Sequence, residues 1–314
     1  MSKFSRRALG AVPRKVLSIV KRTFFEGYRR MVDGPSTLQC GSCNHCVQAF
    51  LPLPKSHIRM LQDTGWPYGL DTGETCNYRQ YTCPYCGASD RDRLIVMYLE
   101  QWFRGIDSRA TLVEFAPSRP ISRYIRRSIA NRNLDFDYRT ADLYMPEVDD
   151  RIDLCDMQTY RTASVDLFIC SHVLEHVPDD RQAMRELHRI LSPSGRGVLL
   201  VPIVVGLSAI DEDPTVTSPS DRWRRFGQDD HVRLYNKSGF VERLTDVGFS
   251  VNELGVGHFG SEQLLKNGIT QKSVLYVVEK SREAPRTTEH APHEAHPSGS
   301  SCAAHQAGVP ARSS

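Results

Sequence analysis

Residues 165–179 read Val165-Asp166-Leu167-Phe168-Ile169-Cys170-Ser171-His172-Val173-Leu174-Glu175-His176-Val177-Pro178-Asp179, and their patterning decides the fold class. The run over 165–171 is short, apolar and bounded by polar residues, which predicts a buried strand. Over 179–191, Met184, Leu187, Ile190 and Leu191 recur at helical spacing, and Pro193 with Gly195 predicts the helix stop. A further buried strand follows over 197–203. Working outward, 111–116 and 136–141 read as strands flanking a helix over 121–131. The segment 238–247 reads as a helix, and 249–254 with 273–278 as a closing antiparallel pair. Strands alternating with helices predict a parallel α/β sheet with helices on both faces. Residues 205–235 are polar, contain Pro214 and Pro219, and are too long for a simple connection, so they are expected to cover a site.

At 314 residues and 40% hydrophobic content, the chain can hold one sizeable α/β domain with smaller appendages. The longest apolar run, around Val198 to Leu207, is too short to cross a bilayer, and the basic N-terminus lacks an apolar signal region with a cleavage site. The expectation is a cytoplasmic protein. Net charge is +3, but residues 1–34 hold nine Lys/Arg against Glu26 and Asp33, leaving +7 there and −4 on the rest. A mildly acidic body disfavours a broad nucleic-acid-binding face. Within 1–34, Leu9, Val12, Val16, Leu17, Val20, Phe24, Phe25 and Tyr28 alternate with basic residues at spacings of three and four. This predicts a basic amphipathic helix able to lie peripherally on an anionic inner-membrane face. Beyond Lys280 the chain is rich in Ser, Pro, Ala and His with almost nothing apolar to bury, which predicts a disordered tail over 281–314.

Six of nine cysteines (Cys40, Cys43, Cys46, Cys76, Cys83 and Cys86) crowd into one segment with paired C-x-x-C spacing. In a reducing compartment that spacing predicts metal before disulfides. Cys40 and Cys43 with Cys83 and Cys86 would put four thiolates on two tight turns, matching structural Zn²⁺. Cys43 with Cys46 is the rival first knuckle.

The stretch over 165–179, followed by Arg189-Ile190-Leu191-Ser192-Pro193-Ser194-Gly195, resembles the fourth strand, turn and later corner of class I methyltransferases of the type 11 kind. A narrower resemblance is to bacterial methyltransferase-domain proteins with a zinc-ribbon-like module. It rests on C-P-Y-C-G-A-S-D-R-D-R-L over 83–94, F-A-P over 115–117, the 172–179 stretch, and F-G-Q-D-D-H-V-R-L-Y over 226–235. It also favours Cys40 and Cys43 as the first knuckle. The implied organisation is a basic helix over 1–34, a zinc-ribbon-like module over 35–95, a Rossmann-like methyltransferase domain over 96–280, and the tail.

The implied activity is transfer of a methyl group from S-adenosylmethionine. The resemblance places cofactor contacts at Glu114, Ala116, Pro117 and Ser118 in the first turn, at Asp142 on the ribose hydroxyls, at Asp153 or Asp156 on the adenine, and at Ser171. Phe-Ala-Pro stands where most of these enzymes have a glycine-rich turn. Methyl transfer needs positioning of two reactants, and a base only where the acceptor must lose a proton. His231, His172, His176 and Glu175 are the residues for that task, and His172-x-x-Glu175-His176 resembles a divalent-cation site of the quinone O-methyltransferases. The expected acceptor is a hydroxyl of a small molecule, sugar or glycolipid. The alternatives are an RNA or protein methyltransferase that recognises its substrate through the zinc ribbon, and a silent methyltransferase-fold binding module.

Overall fold

The computed structural model describes residues 37–106 and 108–282. The amphipathic segment over 1–34 and all but the first two residues of the tail over 281–314 lie outside the described residues. Among the described residues no helix is long and apolar enough to cross a membrane.

The first 70 or so described residues form the cysteine module. Strands β1 (Leu38–Gln39) and β2 (Cys46–Val47) pair antiparallel, helix α1 (Lys55–Asp63) follows, and an irregular strap leads to helix α2 (Asp90–Arg104). Helix α2 starts where it does because Ser89 and Asp92 form a reciprocal capping box: the Ser89 hydroxyl accepts from the Asp92 amide and the Asp92 carboxylate from the Ser89 amide. Its Leu94, Ile95, Tyr98, Leu99 and Trp102 face the main core. The helix therefore runs through residue 95, where the sequence places a boundary, and is shared by the cysteine module and the sheet.

In chain order there follow β3 (Ala110–Phe115), α3 (Arg119–Arg132), β4 (Phe136–Asp142), β5 (Asp150–Arg151), β6 (Val165–Ser171), α4 (Asp180–Ile190) and β7 (Leu191–Leu200). Next come β8 (Asp211–Glu212), α5 (Pro219–Phe226), β9 (Arg233–Leu234), α6 (Lys237–Asp246), β10 (Phe249–Leu254), α7 (Val256–Phe259), α8 (Ser261–Lys266) and β11 (Leu275–Lys280). Seven strands form one sheet in the order β10-β11-β7-β6-β3-β4-β5. Strands β7, β6, β3, β4 and β5 are mutually parallel, and β11 runs antiparallel to both β7 and β10. The chain steps one way from β3 to β4 and the other way from β6 to β7. Right-handed crossovers then set α3 and α4 on opposite faces, and the direction of winding reverses between β3 and β6.

Helix α4 shows how the sequence builds these layers. Asp179 caps it by accepting from the Gln182 amide, and Ala183, Met184, Leu187 and Ile190 form the buried face. Met184, Leu187 and Ile190 each contribute about 1.5–3 kcal/mol when fully buried, and Ala183 less.

The helix ends at Ile190, where the sequence places its end, but not through Pro193 and Gly195, and the next strand begins at Leu191 rather than Gly197. Helix α4 passes directly into β7 at Leu191, with φ −63° and ψ 134°. Its end carbonyls need no glycine cap, because the chain entering β6 supplies the donors: the Ala163 and Ser164 amides bond the Arg189 and Ile190 carbonyls at 2.9 Å each. The glycines serve packing instead. A Cβ on Gly197 would lie 2.0 Å from the Phe168 ring, so glycine there is what lets that ring lie against β7.

The cover over 205–235 carries β8, α5 and β9, and it is bolted to the turn after β6. Arg233 is almost fully buried and donates to the Leu174 and Pro178 carbonyls at 2.8 Å each. The Val232 amide donates to the Glu175 carbonyl at 2.9 Å. Two stretches some fifty residues apart in sequence, 172–179 and 226–235, thus pack as one unit.

Candidate functional site

Register alone assembles the site. Phe115 pairs with Ala141 on one side and Cys170 on the other, so the next residue of each strand, Ala116, Asp142 and Ser171, stands side by side at the carboxyl edge. Ala116 is in the middle, between strands about 4.8 Å apart. Asp142 in turn pairs with Arg151 of β5, two residues before Asp153. The row sits at the point where the winding reverses, where open α/β sheets bind ligands.

The first turn is made without glycine. Ala116 takes the left-handed region at φ 46°, an arrangement costing about 1–3 kcal/mol that persists only when its surroundings enforce it. They do so through Glu114. Its buried carboxylate accepts from the Ser118 amide and the Ser122 hydroxyl at 2.8 Å each, and from the Tyr138 hydroxyl. Burial pushes this carboxyl up to about 7 against those three donors. Glu114 therefore braces the turn from inside, with both oxygens committed, while Ala116, Pro117 and Ser118 remain partly exposed. Ser118 caps α3 by accepting from the Ile121 amide at 3.3 Å.

Asp142 ends β4. Its Oδ1 accepts from the Tyr144 and Met145 amides at 2.7 Å each, so at most Oδ2 remains for an outside donor. That narrows the expectation that both oxygens meet ribose hydroxyls. Asp153 is half-buried and accepts from the Cys155 amide at 2.9 Å. Asp156 is exposed and contacts Gln158. Ser171 closes β6, half-buried.

Past Ser171 the chain turns sharply at His172, also left-handed at φ 57°. Arg91 Nη1 lies 3.2 and 3.1 Å from the two nitrogens of this ring, so it rests against the imidazole face, while Nη2 donates to the Tyr81 hydroxyl at 3.0 Å. On the other side His172 Nδ1 is 3.0 Å from Glu175 Oε1. Glu175 is fully buried. Burial opposes its charge, but the rings of His172, His176 and His231 hold it at about 2.

His231, expected to face the acceptor, does not. It is 3% exposed, with Nδ1 on the Phe226 carbonyl at 3.0 Å and Nε2 on the Gln228 side chain at 2.7 Å. Burial pushes it down to about 3, so the ring is neutral and both nitrogens are engaged within the protein. His176, with 23% of its side chain exposed, is more accessible.

Residues 101–199 match the family model described as a methyltransferase domain. That span holds β3 through most of β7, and with it Ala116, Asp142, Asp153 and Ser171. This is a class I methyltransferase fold. No curated protein matches the chain. Solved structures that resemble the methyltransferase fold do so remotely. The citrinin polyketide synthase CMeT domain is 15% identical with a TM-score of 0.42, the match covering 65% of this chain and 55% of that one. Phosphoethanolamine N-methyltransferase 2 of Haemonchus contortus, in complex with S-adenosyl-L-methionine, is 10% identical with a TM-score of 0.38, covering 64% and 54%. The 1,6-didemethyltoxoflavin-N1-methyltransferase of Burkholderia thailandensis is 11% identical with a TM-score of 0.39, covering 88% and 93%. The chain thus spans about half the length of the first two.

Joined to the methyltransferase fold through α2 is the cysteine cluster. Cys40, Cys43, Cys83 and Cys86 bring their sulfurs within 4.8 Å of one another, while Cys46 is exposed in β2. The two knuckles have the same backbone. Cys40 donates to the His45 carbonyl and Asn44 to the Cys40 carbonyl; Cys83 donates to the Ala88 carbonyl and Gly87 to the Cys83 carbonyl. Asn44 and Gly87 are both left-handed, at φ 63° and 80°. Cys40 to Cys86 is 3.7 Å and Cys43 to Cys83 is 3.8 Å. Tetrahedral zinc with bonds of about 2.3 Å requires sulfur separations of about 3.8 Å. Hydrogen bonding among the four sulfurs lowers Cys43 to about 6 and lowers Cys83 and Cys86, while it pushes Cys40 strongly up, so the thiols share their protons as one coupled group.

Sequence reasoning missed Arg91, Tyr81, Asp92, Gln228 and Asp230 as site residues. All but Tyr81 stand inside the quoted motifs, where only their contacts across the fold reveal what they do.

Proposed function

We propose that the chain transfers a methyl group from S-adenosylmethionine to a hydroxyl of a small molecule or sugar. The observation that carries this reading is the row Asp142, Ala116 and Ser171 at the carboxyl edge of three adjacent parallel strands, where the winding reverses. Asp142 Oδ2 would accept from the ribose and Asp153 from the adenine amino group, while the exposed side of the Ala116 to Ser118 turn would face the methionine portion. When bound, the cofactor supplies a methyl carbon on a sulfonium. The protein's part is to align the acceptor and receive its proton. His231 has both nitrogens engaged, so that task falls to the His172, Glu175 and His176 turn.

A cavity of about 670 Å³ lies beyond the carboxyl ends of β7 and β10, lined by none of Asp142, Ala116, Ser171 or the 172–176 turn. Ile203, Val205, Leu207 and Val241 give it apolar walls, and Glu74, Lys237 and Glu253 give it polar ones. Zinc on Cys40, Cys43, Cys83 and Cys86 would be structural, supporting a module too small to hold a large core of its own.

The experiment is to incubate the zinc-loaded chain with S-adenosylmethionine labelled in the methyl group and a cell extract fractionated by size. Label in the small-molecule or glycolipid fraction, lost on Asp142→Ala, is the expected result. Label only in RNA or protein would move the assignment to a macromolecular acceptor.

A further inference from the structure

We propose that Glu175, His176 and His231 form a divalent-metal site of the two-histidine, one-carboxylate kind, with Asp230 and Phe226 holding the imidazoles from behind. The first observation is a buried carboxylate left unsatisfied. Glu175 is 0% exposed, and neither of its oxygens receives a well-directed hydrogen bond, the His172 nitrogen at 3.0 Å being poorly aligned. A buried carboxylate is rarely left without directed partners, because desolvating it is expensive.

The second observation is convergence. One ligand atom from each of Glu175, His176 and His231 lies within 4.8 Å of the others. His176 Nε2 is 4.0 Å from Glu175 Oε1, too far for a hydrogen bond. Bonds of about 2.0–2.1 Å to one ion place neighbouring ligand atoms about 3–3.5 Å apart, so a side-chain shift of under about 1 Å would bring this pair onto the same ion.

The third is the outer layer. His231 Nδ1 is bonded to the Phe226 carbonyl at 3.0 Å, and His176 Nδ1 is 3.4 Å from Asp230 Oδ2. A carbonyl or carboxylate on the far nitrogen is how proteins fix the tautomer and aim of metal-binding imidazoles. Asp230 Oδ1 is itself buried and unpartnered. The ion would displace the Gln228 side chain, now 2.7 Å from His231 Nε2.

This set differs from the His172, Glu175 and His176 turn that the sequence offers. His172 is backed by Arg91 and supports Glu175 from the side, and the second imidazole comes from the cover segment. Two imidazoles and a carboxylate suit a first-row divalent ion such as Mn²⁺, Fe²⁺ or Zn²⁺ more than Mg²⁺ or Ca²⁺. Acidification of an acceptor hydroxyl by such an ion rests on the methyl-transfer reading; the existence of the site does not.

The test uses the full chain with zinc already on its cysteines, titrated with Mn²⁺ while the free ion is followed by electron paramagnetic resonance. One Mn²⁺ per chain is expected, with affinity lost at least about 100-fold in Glu175→Gln and His231→Gln and about 10–100-fold in Asp230→Asn. Either no Mn²⁺ uptake by folded wild type or unchanged uptake in folded Glu175→Gln would overturn the proposal. Mn²⁺ uptake by a protein that binds no S-adenosylhomocysteine would leave the site standing and remove only its role in methyl transfer.

Discussion

Asp92 accepts a hydrogen bond from the Ser118 hydroxyl at 3.0 Å, so the helix leaving the cysteine knuckles and the turn at the sheet's carboxyl edge share a side chain. The same carboxylate caps its own helix through the Ser89 amide at 2.8 Å, and Cys86 is only three residues before that cap. The cysteine cluster, the helix start and the first turn are therefore linked in series. Cys86→Ser, or chelation of the zinc, should weaken S-adenosylhomocysteine binding by roughly 5–100-fold, the range of ordinary coupling energies. Calorimetry on zinc-loaded and zinc-stripped chain checks this, and equal affinities would show that the module is energetically separate.

Glu114 should make stability fall as pH rises. Its folded pKa of about 7 lies above the ordinary glutamate value of 4.5. The protonated form is thus favoured in the folded state, and the advantage is full below about pH 4.5 and lost as pH climbs towards 7. The difference corresponds to about 3 kcal/mol. Glu114→Gln keeps the shape without the titration, so its urea midpoint should lack that part of the slope between pH 4.5 and 8. Parallel curves for the two proteins would contradict the environment described for this carboxyl.

The Phe-Ala-Pro turn makes an asymmetric prediction. Ala116→Gly relieves a left-handed residue and should leave stability unchanged or raise it by up to about 1 kcal/mol. Ala116→Val should cost about 1–3 kcal/mol, because a β-branched residue is a true outlier at positive φ. Thermal melts of the pair measure this, and equal tolerance of valine would mean that the turn is not held as described.

Arg93 is the pin between the cysteine module and the far end of the sheet. Fully buried, it donates to the carbonyls of Asn267, Tyr81, Ala88 and Gln80 at 2.6, 3.1, 2.8 and 2.7 Å, and its guanidinium lies 3.8 Å over the Phe50 ring. Arg93→Met should destabilise by at least about 3 kcal/mol, since several buried carbonyls lose their donor together. Denaturant unfolding with zinc present would show it.

Which parts of the fold the sequence revealed follows from the kind of signal each element carries. Strands β3, β4 and β6 and helices α3 and α4 were legible because each pairs a buried apolar pattern with a local start signal. Helix α2 was missed although Ser89 and Asp92 form a capping box, because the cysteines drew the segment up to residue 95 into the metal module. The start of β7 was misplaced because Pro193 and Gly195 read as breakers, whereas the donors closing α4 come from Ala163 and Ser164, almost thirty residues upstream. For the site, residues ending strands were placed by register, which a strand pattern implies. Arg91, Gln228 and Asp230 act across the fold, and no local spacing encodes that His231 would turn inward to meet Gln228 and Phe226.

The most direct test of the central claim is calorimetric titration of the zinc-loaded chain with S-adenosylhomocysteine, for wild type and for Asp142→Ala. One ligand should bind per chain, weakened at least about tenfold when the Asp142 carboxylate is removed, consistent with loss of a charge-assisted hydrogen bond worth about 1.5–3 kcal/mol. No heat with the folded wild type, or identical affinity in the variant, would contradict it.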